Sequence, residues 1–194
     1  MADDNLNMLA GRFYSDASHF ASETHNFEVQ RANHFEVVID LKKLNLAGNG
    51  DDVFSDHLRM STKSIGAPKV SAEQITLNHG NDKVKVASAP SFDDLTLTVY
   101  DTLGRDQIDL VQRWFNRVFN RETKLMGLVS DYKTNGTLYM YSPDCSLIRK
   151  WNLQGVWPKE FGLGSDFAYD STEAQTVTIT LSIDRYFEDT AIDS

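Results

Sequence analysis

The sequence predicts a mainly β protein, an antiparallel β-barrel or sandwich flanked by one α-helix. Three stretches alternate apolar and polar residues with the period of two that a half-buried strand requires: 34–41, 95–100 and 176–184. One stretch, 104–121, instead spaces its apolar residues as a helix does. Strands and helices do not alternate along the chain, so no βαβ rhythm indicates a parallel sheet.

The first predicted strand, HFEVVIDL, is followed by an unusually long connection. Residues 42–57 centre on the turn-forming sequence AGNGDD, and the connection is longer than a simple hairpin needs. Apolar residues on both sides of this centre predict a projecting hairpin instead of a plain loop. These flanking residues are Leu44, Leu46, Val53 and Phe54.

The middle of the chain predicts short strands and the helix. Residues 58–64 are expected to form a strand, and 74–77 is expected to pair with 83–87 around the turn sequence NHGND. In the helix, Leu110 and Trp114 widen an apolar stripe at spacings of three and four residues. That stripe consists of Ile108, Val111, Phe115 and Val118.

The last third of the chain predicts further strands. The sequence LMGLVSDYKTNGTLYMY is expected to form two strands around an Asn-Gly turn. Residues 147–156 are expected to form a strand that ends at Trp157-Pro158, because proline cannot donate a ladder hydrogen bond. The strand in TVTITLSIDRYF has the most regular alternation in the chain.

Composition narrows the class of protein. A chain of 194 residues fits one domain with an arm at 1–30 and a short tail at 189–194. Its net charge of −9 argues against a general electrostatic attraction to the phosphate backbone of nucleic acid. The single cysteine, Cys145, cannot form an internal disulfide. The N-terminus lacks the pattern of a signal peptide and no apolar run approaches a membrane span, so we expect no membrane contact.

No pattern of residues predicts an enzyme. Asp93 and Asp94 suggest a catalytic pair, but adjacent residues of a strand point to opposite faces and cannot both reach one substrate. The five histidines lack the spacing of a metal site, and no serine stands in a GxSxG motif. We therefore expect neither catalysis, nor a cofactor, nor a metal.

The polar faces of two predicted strands are rich in hydroxyl groups and lack lysine. Such a face suits a hydrated wall that another molecule passes without binding. The face combines Thr96, Thr98 and Tyr100 with Thr176, Thr178, Thr180 and Ser182.

Four motifs together resemble the tail tube proteins of contractile-tailed bacteriophages. The sequence SFDDLTLTVYD at 91–101 precedes the helix motif QIDLVQRWF at 107–115. LQGVWPKEFG follows at 153–162, and TVTITLSIDRYFE closes the pattern at 176–188. RANHFEVVIDL and STKSIGAPKV fit the first two strands of that family. The resemblance covers roughly residues 31–188.

The resemblance implies a ring-forming structural subunit. Six copies would form a ring in which their sheets join into one continuous inner barrel, and rings would stack into the tail tube that carries the genome. Such a virion tail would assemble in the cytoplasm of the bacterial host. Implied partners are further copies, the tail sheath protein, the baseplate and tube-terminator proteins, and, within the lumen, the tape measure protein and double-stranded DNA.

The resemblance and the strand faces together give two sets of candidate residues. The candidates to line the lumen are Glu36, Asp40, Asp94, Thr96, Thr98, Thr178, Thr180 and Asp184. The candidates for contacts between subunits are Leu44, Leu46, Val53 and Phe54.

Two other functions remain open from the sequence. The same architecture would serve a baseplate tube initiator, or the inner tube of an injection device that carries no genome. A β-barrel enzyme or ligand-binding module is an alternative of a different class, and it would have a pocket at the barrel end.

Overall fold

The computed structural model describes residues 31–46, 53–104, 106–143, 145–164, 167–170 and 172–189. The predicted arm at 1–30 and residues 190–194 of the predicted tail lie outside the described residues. The strands are β1 Phe35–Ile39, β2 Thr62–Ile65, β3 Val70–His79, β4 Asp82–Phe92, β5 Leu95–Tyr100, β6 Thr134–Tyr141, β7 Leu147–Leu163, β8 Thr176–Ser182 and β9 Arg185–Glu188. The α-helices are α1 Val53–Ser61, α2 Asp106–Val118 and α3 Val129–Tyr132.

The strands form one antiparallel sheet and one separate hairpin, which confirms the mainly β prediction. The sheet has the order β1-β6-β7-β8-β5-β2, and β9 pairs with β7. β3 and β4 pair only with each other. Among the described strands, β1 and β2 end the order without pairing to each other, so the sheet does not close into the expected barrel.

Strand β7 joins the two halves of the sheet. Its first part pairs with β6 and β9, and its second part pairs with β8. The prediction that this strand ends at Trp157-Pro158 is wrong, because β7 continues to Leu163. Pro158 lies at a register shift between itself and Glu160, and a bulge tolerates the missing N–H.

The core lies between the apolar face of the sheet and helix α2. Leu97 and Val99 of β5 stand opposite Ile179 and Val177 of β8, and all four side chains are buried. From α2, Leu110, Val111 and Trp114 complete this cluster. The predicted helix is confirmed, and its buried stripe is centred on these three residues. The indole of Trp114 donates to the carbonyl of Tyr132 at 2.8 Å, which fixes α2 against α3.

The predicted hairpin at 42–57 is wrong in its described part. Lys42–Leu44 forms a 3-10 helix and α1 begins at Val53, while residues 47–52 lie outside the described residues. Leu44 and Leu46 are buried in the core of the subunit, so their apolar surface is already covered. The backbone of Val53 and Phe54 is helical. α1 also occupies the first part of the strand expected at 58–64.

The Asn135-Gly136 pair does not form the predicted turn. Both residues lie inside β6, and the sequence before them forms the short helix α3. A Cβ on Gly136 would lie 3.3 Å from the carbonyl oxygen of Val38 on β1. The glycine is therefore explained by the close approach of a neighbouring strand.

Candidate lumen and assembly surfaces

The polar side of β5 and β8 carries a compact patch of threonines. Thr96 stands opposite Thr180 and Thr98 stands opposite Thr178, while the residues between them face the core. The strand alternation that buries the apolar residues thus presents four hydroxyl groups together. The structure therefore brings these four predicted lumen residues onto one surface, which we call the threonine face.

The second part of β7 extends the threonine face. Glu160 stands opposite Thr180 and Gly162 opposite Thr178. At the end of this strand, a Cβ on Gly164 would lie 2.5 Å from Oγ1 of Thr176 and 2.8 Å from Oγ1 of Thr178. A side chain at 164 would therefore displace the hydroxyl groups.

Asp94 pairs with a cation within the subunit. Nζ of Lys159 lies 2.6 Å from Oδ2 of Asp94, across β8. The hydrogen bond to Asp94 and the charge of its carboxylate raise the pKa of Lys159 above its usual value. Asp93 instead donates its backbone N–H to the carbonyl of Lys69 at 3.1 Å. Both residues lie between β4 and β5 and not within a strand, so the expected separation by strand alternation does not apply to them.

Asp184 lies in the turn between β8 and β9, beyond the end of β8 at Ser182. Its carboxylate accepts from Nζ of Lys133 at 2.7 and 2.8 Å. Gly155 has a left-handed backbone with φ of +68°, and a Cβ there would lie 2.1 Å from Oδ2 of Asp184. The carboxylate thus occupies the space that the missing side chain leaves beside β7.

Glu36 and Asp40 belong to the other half of the sheet. Glu36 forms an ion pair with Arg59 of α1 and accepts a hydrogen bond from the hydroxyl of Tyr141 at 2.7 Å. Burial and this carboxylate raise the pKa of Tyr141 to about 12. The side chain of Asp40 is exposed just after β1. Of the eight lumen candidates, the four threonines stand opposite one another, and three of the four acids have a cationic partner in the subunit.

The β3–β4 hairpin presents an apolar face to solvent. Ile75 stands opposite Val86 and Leu77 opposite Val84, and these side chains are 48%, 39%, 51% and 47% exposed respectively. The sequence predicted this strand pair but not its separation from the sheet. The sequence indicated this separation only through two alternating strands that have no adjacent helix to cover their apolar face. We call these four residues the hairpin stripe.

A cleft of about 1080 Å³ lies between β2 and the half-sheet formed by β1, β6 and the first part of β7. Its walls include Phe35, Ile65, Leu138, Ile148 and Trp151. Among the described residues that line it there is no aspartate, glutamate, histidine or cysteine. This lining favours apolar contact over acid–base or nucleophilic chemistry.

The described part of the chain gives little evidence for a metal site or a membrane-spanning helix. No group of three or more histidine, cysteine, aspartate or glutamate side chains is arranged there to hold a metal ion. None of the described helices is long and apolar enough to span a bilayer. Cys145 is exposed.

Comparison with known proteins gives a consistent match. The family model described as T4-like virus tail tube protein gp19 matches residues 31–186. The tail tube protein gp19 of Enterobacteria phage T4 is 28% identical over 129 residues, covering 65% of this chain and 78% of the T4 protein. Tail tube protein gp19 of Enterobacteria phage T6 is 27% identical with the same coverage.

Solved structures of contractile systems share the fold. The tube-terminating cap of the anti-feeding prophage matches with a TM-score of 0.64 and 17% identity, covering 88% of this chain and 97% of its own. A chain of the sheath–tube complex of an extracellular contractile injection system has a TM-score of 0.61 and 17% identity, with coverages of 90% and 98%. At this identity the similarity concerns the fold alone. Since the family model spans most of the sequence, the chain belongs to the T4-like virus tail tube protein gp19 family and is a structural component of a contractile tail tube.

Proposed function

We propose that six copies of this chain close into a ring and that rings stack into the inner tube of a contractile virion tail. The observation that carries the proposal is the exposed hairpin stripe. A two-stranded hairpin without a covered apolar face is marginally stable in water. Contact with a second copy would cover the stripe, and ring closure would also pair the free edges of β1 and β2.

The expected gain from covering the hairpin stripe is substantial. Full burial of a valine or leucine side chain contributes ~1.5–3 kcal/mol, so a side chain that is half exposed gains about 1 kcal/mol when covered. Four such side chains supply about 4 kcal/mol per contact before the entropy cost of association. Repetition of the contact around a ring and along a stack favours polymer over monomer.

We place the threonine face on the lumen. The threonine hydroxyl groups give DNA no fixed cation to bind, and the neighbouring Lys159 is paired with Asp94, which leaves this region close to neutral. A neutral or acidic wall lets a polyanion slide. This proposal rests on Asp94 and the four threonines and does not require Glu36, Asp40 or Asp184.

The position of the protein in the tail tube determines which proteins it would contact. The tube would contact the sheath protein on its outside and the baseplate and terminator proteins at its ends, with the tape measure protein and double-stranded DNA passing inside. Inner tubes of injection devices and baseplate initiators would use the same surfaces. Purified particles with DNA-filled heads would distinguish the virion tail from a device without a genome.

Self-assembly of the full chain tests the proposal. The unsubstituted protein should form tubes of uniform diameter above a critical concentration, seen by sedimentation and negative-stain microscopy. The double variant Leu77→Ser and Val84→Ser loses about 2 kcal/mol of contact energy, which raises the critical concentration about 30-fold. The matched control Thr76→Ser with Lys85→Ser alters the opposite face of the same strands and should polymerise normally.

Two results would contradict this reasoning. Equal polymerisation of the stripe variant and its control would show that the hairpin stripe is not a contact between copies. A folded protein that stays monomeric at every concentration, without any added partner, would contradict the tube function itself.

A further inference from the structure

We propose that the N-terminal segment, residues 1–30, binds in the cleft between β2 and the β1–β6–β7 half-sheet of its own subunit. The family model begins at residue 31, so this segment precedes the part shared with the gp19 family. The binding site therefore adds an intramolecular contact to the tube subunit, and it does not depend on ring formation.

The cleft is a gap in the covering of the core. Phe35, Ile65 and Trp151 are only partly buried although they pack against the core cluster, and Ile148 is 39% exposed. The cleft volume of about 1080 Å³ lies just above the range of about 300–1,000 Å³ typical of small-ligand pockets. An apolar opening of this size fits a chain segment with several apolar side chains.

The segment is attached at the rim of the cleft. Ala32 and Asn33, among the first described residues, line the opening. Residue 30, the last of the segment, is joined to the chain two positions before Ala32, so the segment is tethered at the cleft. A short tether gives an effective concentration of about 1 mM or more. Attachment at this point favours the subunit's own segment over a free partner.

The composition of the segment complements the cleft. Its sequence spaces apolar residues along a polar background: Leu6, Met8, Leu9, Phe13, Phe20 and Phe27. It contains five acidic residues and one arginine. The described lining of the cleft has two cations, Lys63 and Arg149, and no acid. Arg149 lies 3.8 Å from the carboxylate of Glu188, whereas Nζ of Lys63 lies 5.5 Å from the centre of the neutral Tyr100 ring, so Lys63 provides the clearer attraction.

The hairpin stripe of a second copy is the alternative occupant of this cleft. Lys83 and Lys85 lie on the opposite face of that hairpin, so their charges do not exclude it. The attachment of the N-terminal segment beside Ala32 and Asn33 favours the subunit's own segment. Crosslinks between chains would identify the alternative.

Photo-crosslinking in the full chain tests the proposal. The photoreactive residue p-benzoylphenylalanine is introduced at Ile148, and in a second variant at Ala67, which is exposed on the opposite wall. Leu163 is the control position, since it is 46% exposed at the far end of β7 and does not line the cleft. An equal mixture of isotopically labelled and unlabelled protein distinguishes crosslinks within a chain from crosslinks between chains.

We expect both cleft probes to crosslink to peptides within residues 1–30 of the same chain, at least tenfold above the Leu163 probe. Lys63→Glu should lower that yield about threefold, the effect of one exposed ion pair, whereas Lys124→Glu should not. Crosslinks to another chain, whether to its residues 1–30 or 70–92, would overturn the proposal. Yields no higher than those of the control probe would also overturn it. Microscopy of the same samples scores tube formation separately.

Discussion

Gly155→Ala should destabilise the joint between the two halves of the sheet. Gly155 lies in β7 within the register shift of its pairing with β6, two residues before the part of β7 that pairs with β8. Its φ of +68° is in the left-handed region, which an alanine adopts at a cost of ~1–2 kcal/mol. The new Cβ would also lie 2.1 Å from Oδ2 and 3.0 Å from Cβ of Asp184.

The second contribution comes from displacing Asp184. Its backbone N–H is held by the carbonyl of Gln154 at 3.0 Å, so the side chain has to move instead. Rotation toward solvent breaks the contact with Lys133, an exposed ion pair worth ~0.2–1 kcal/mol. Together the two terms lower the free energy of unfolding by ~1–3 kcal/mol, and we expect a value in the upper half of this range because rotation does not remove the contact with Cβ.

Urea denaturation followed by tryptophan fluorescence measures this change, at a concentration where the protein is monomeric. Gly162→Ala is the matched control, since a Cβ there meets nothing within 4 Å and the backbone is not left-handed. The control should change stability by less than ~0.5 kcal/mol. A Gly155→Ala variant as stable as this control would refute the reasoning about the backbone of β7.

Three further predictions concern the remaining parts of the subunit. The pKa of Tyr141 is raised to about 12 from 10.0, so the folded state holds this proton more tightly and the free energy of unfolding falls as pH rises above about 10. Tyr141→Phe should lose that part of the pH dependence in denaturation titrations. An unchanged pH profile would contradict the hydrogen bond to Glu36. Leu44→Ala should lower the free energy of unfolding by ~2–4 kcal/mol because the side chain is buried. The control Met60→Ala, at an exposed position, should change the free energy of unfolding by less than ~0.5 kcal/mol. Equal effects of the two substitutions would restore a surface role for Leu44. Thr98→Lys should leave tubes intact but slow triggered DNA ejection in a salt-dependent way, because a ring of lysines would bind phosphate; normal ejection would argue against a lumen position.

The sequence predicted the elements whose apolar pattern has a single interpretation. β5 and β8 alternate strictly, β1 does so apart from Val38, and helix α2 repeats every three or four residues. Burial of one face therefore determines both type and orientation. The same alternation brings the threonine face together. These features depend on local geometry, which a sequence contains directly.

Short sequence motifs gave wrong predictions of secondary structure where residues far apart in the chain determine the local structure. Asn135-Gly136 is a turn signal, but the glycine serves the approach of β1, which is about a hundred residues away in the chain. The proline of Trp157-Pro158 would end a strand, but a bulge lets β7 pass through it. Leu44 and Leu46 could have flanked a projecting hairpin, but the core of the subunit buries them.

The sequence by itself therefore determined the mainly β fold, the faces of its regular strands and the resemblance to tail tube proteins. Only the tertiary structure decided that the hairpin at 70–92 stands apart from the sheet with its apolar stripe exposed. It also decided that Asp94, Asp184 and Glu36 meet Lys159, Lys133 and Arg59. The physical reason is that periodicity states which side of a strand is apolar, whereas the surface or charge that covers that side comes from residues far apart in the chain.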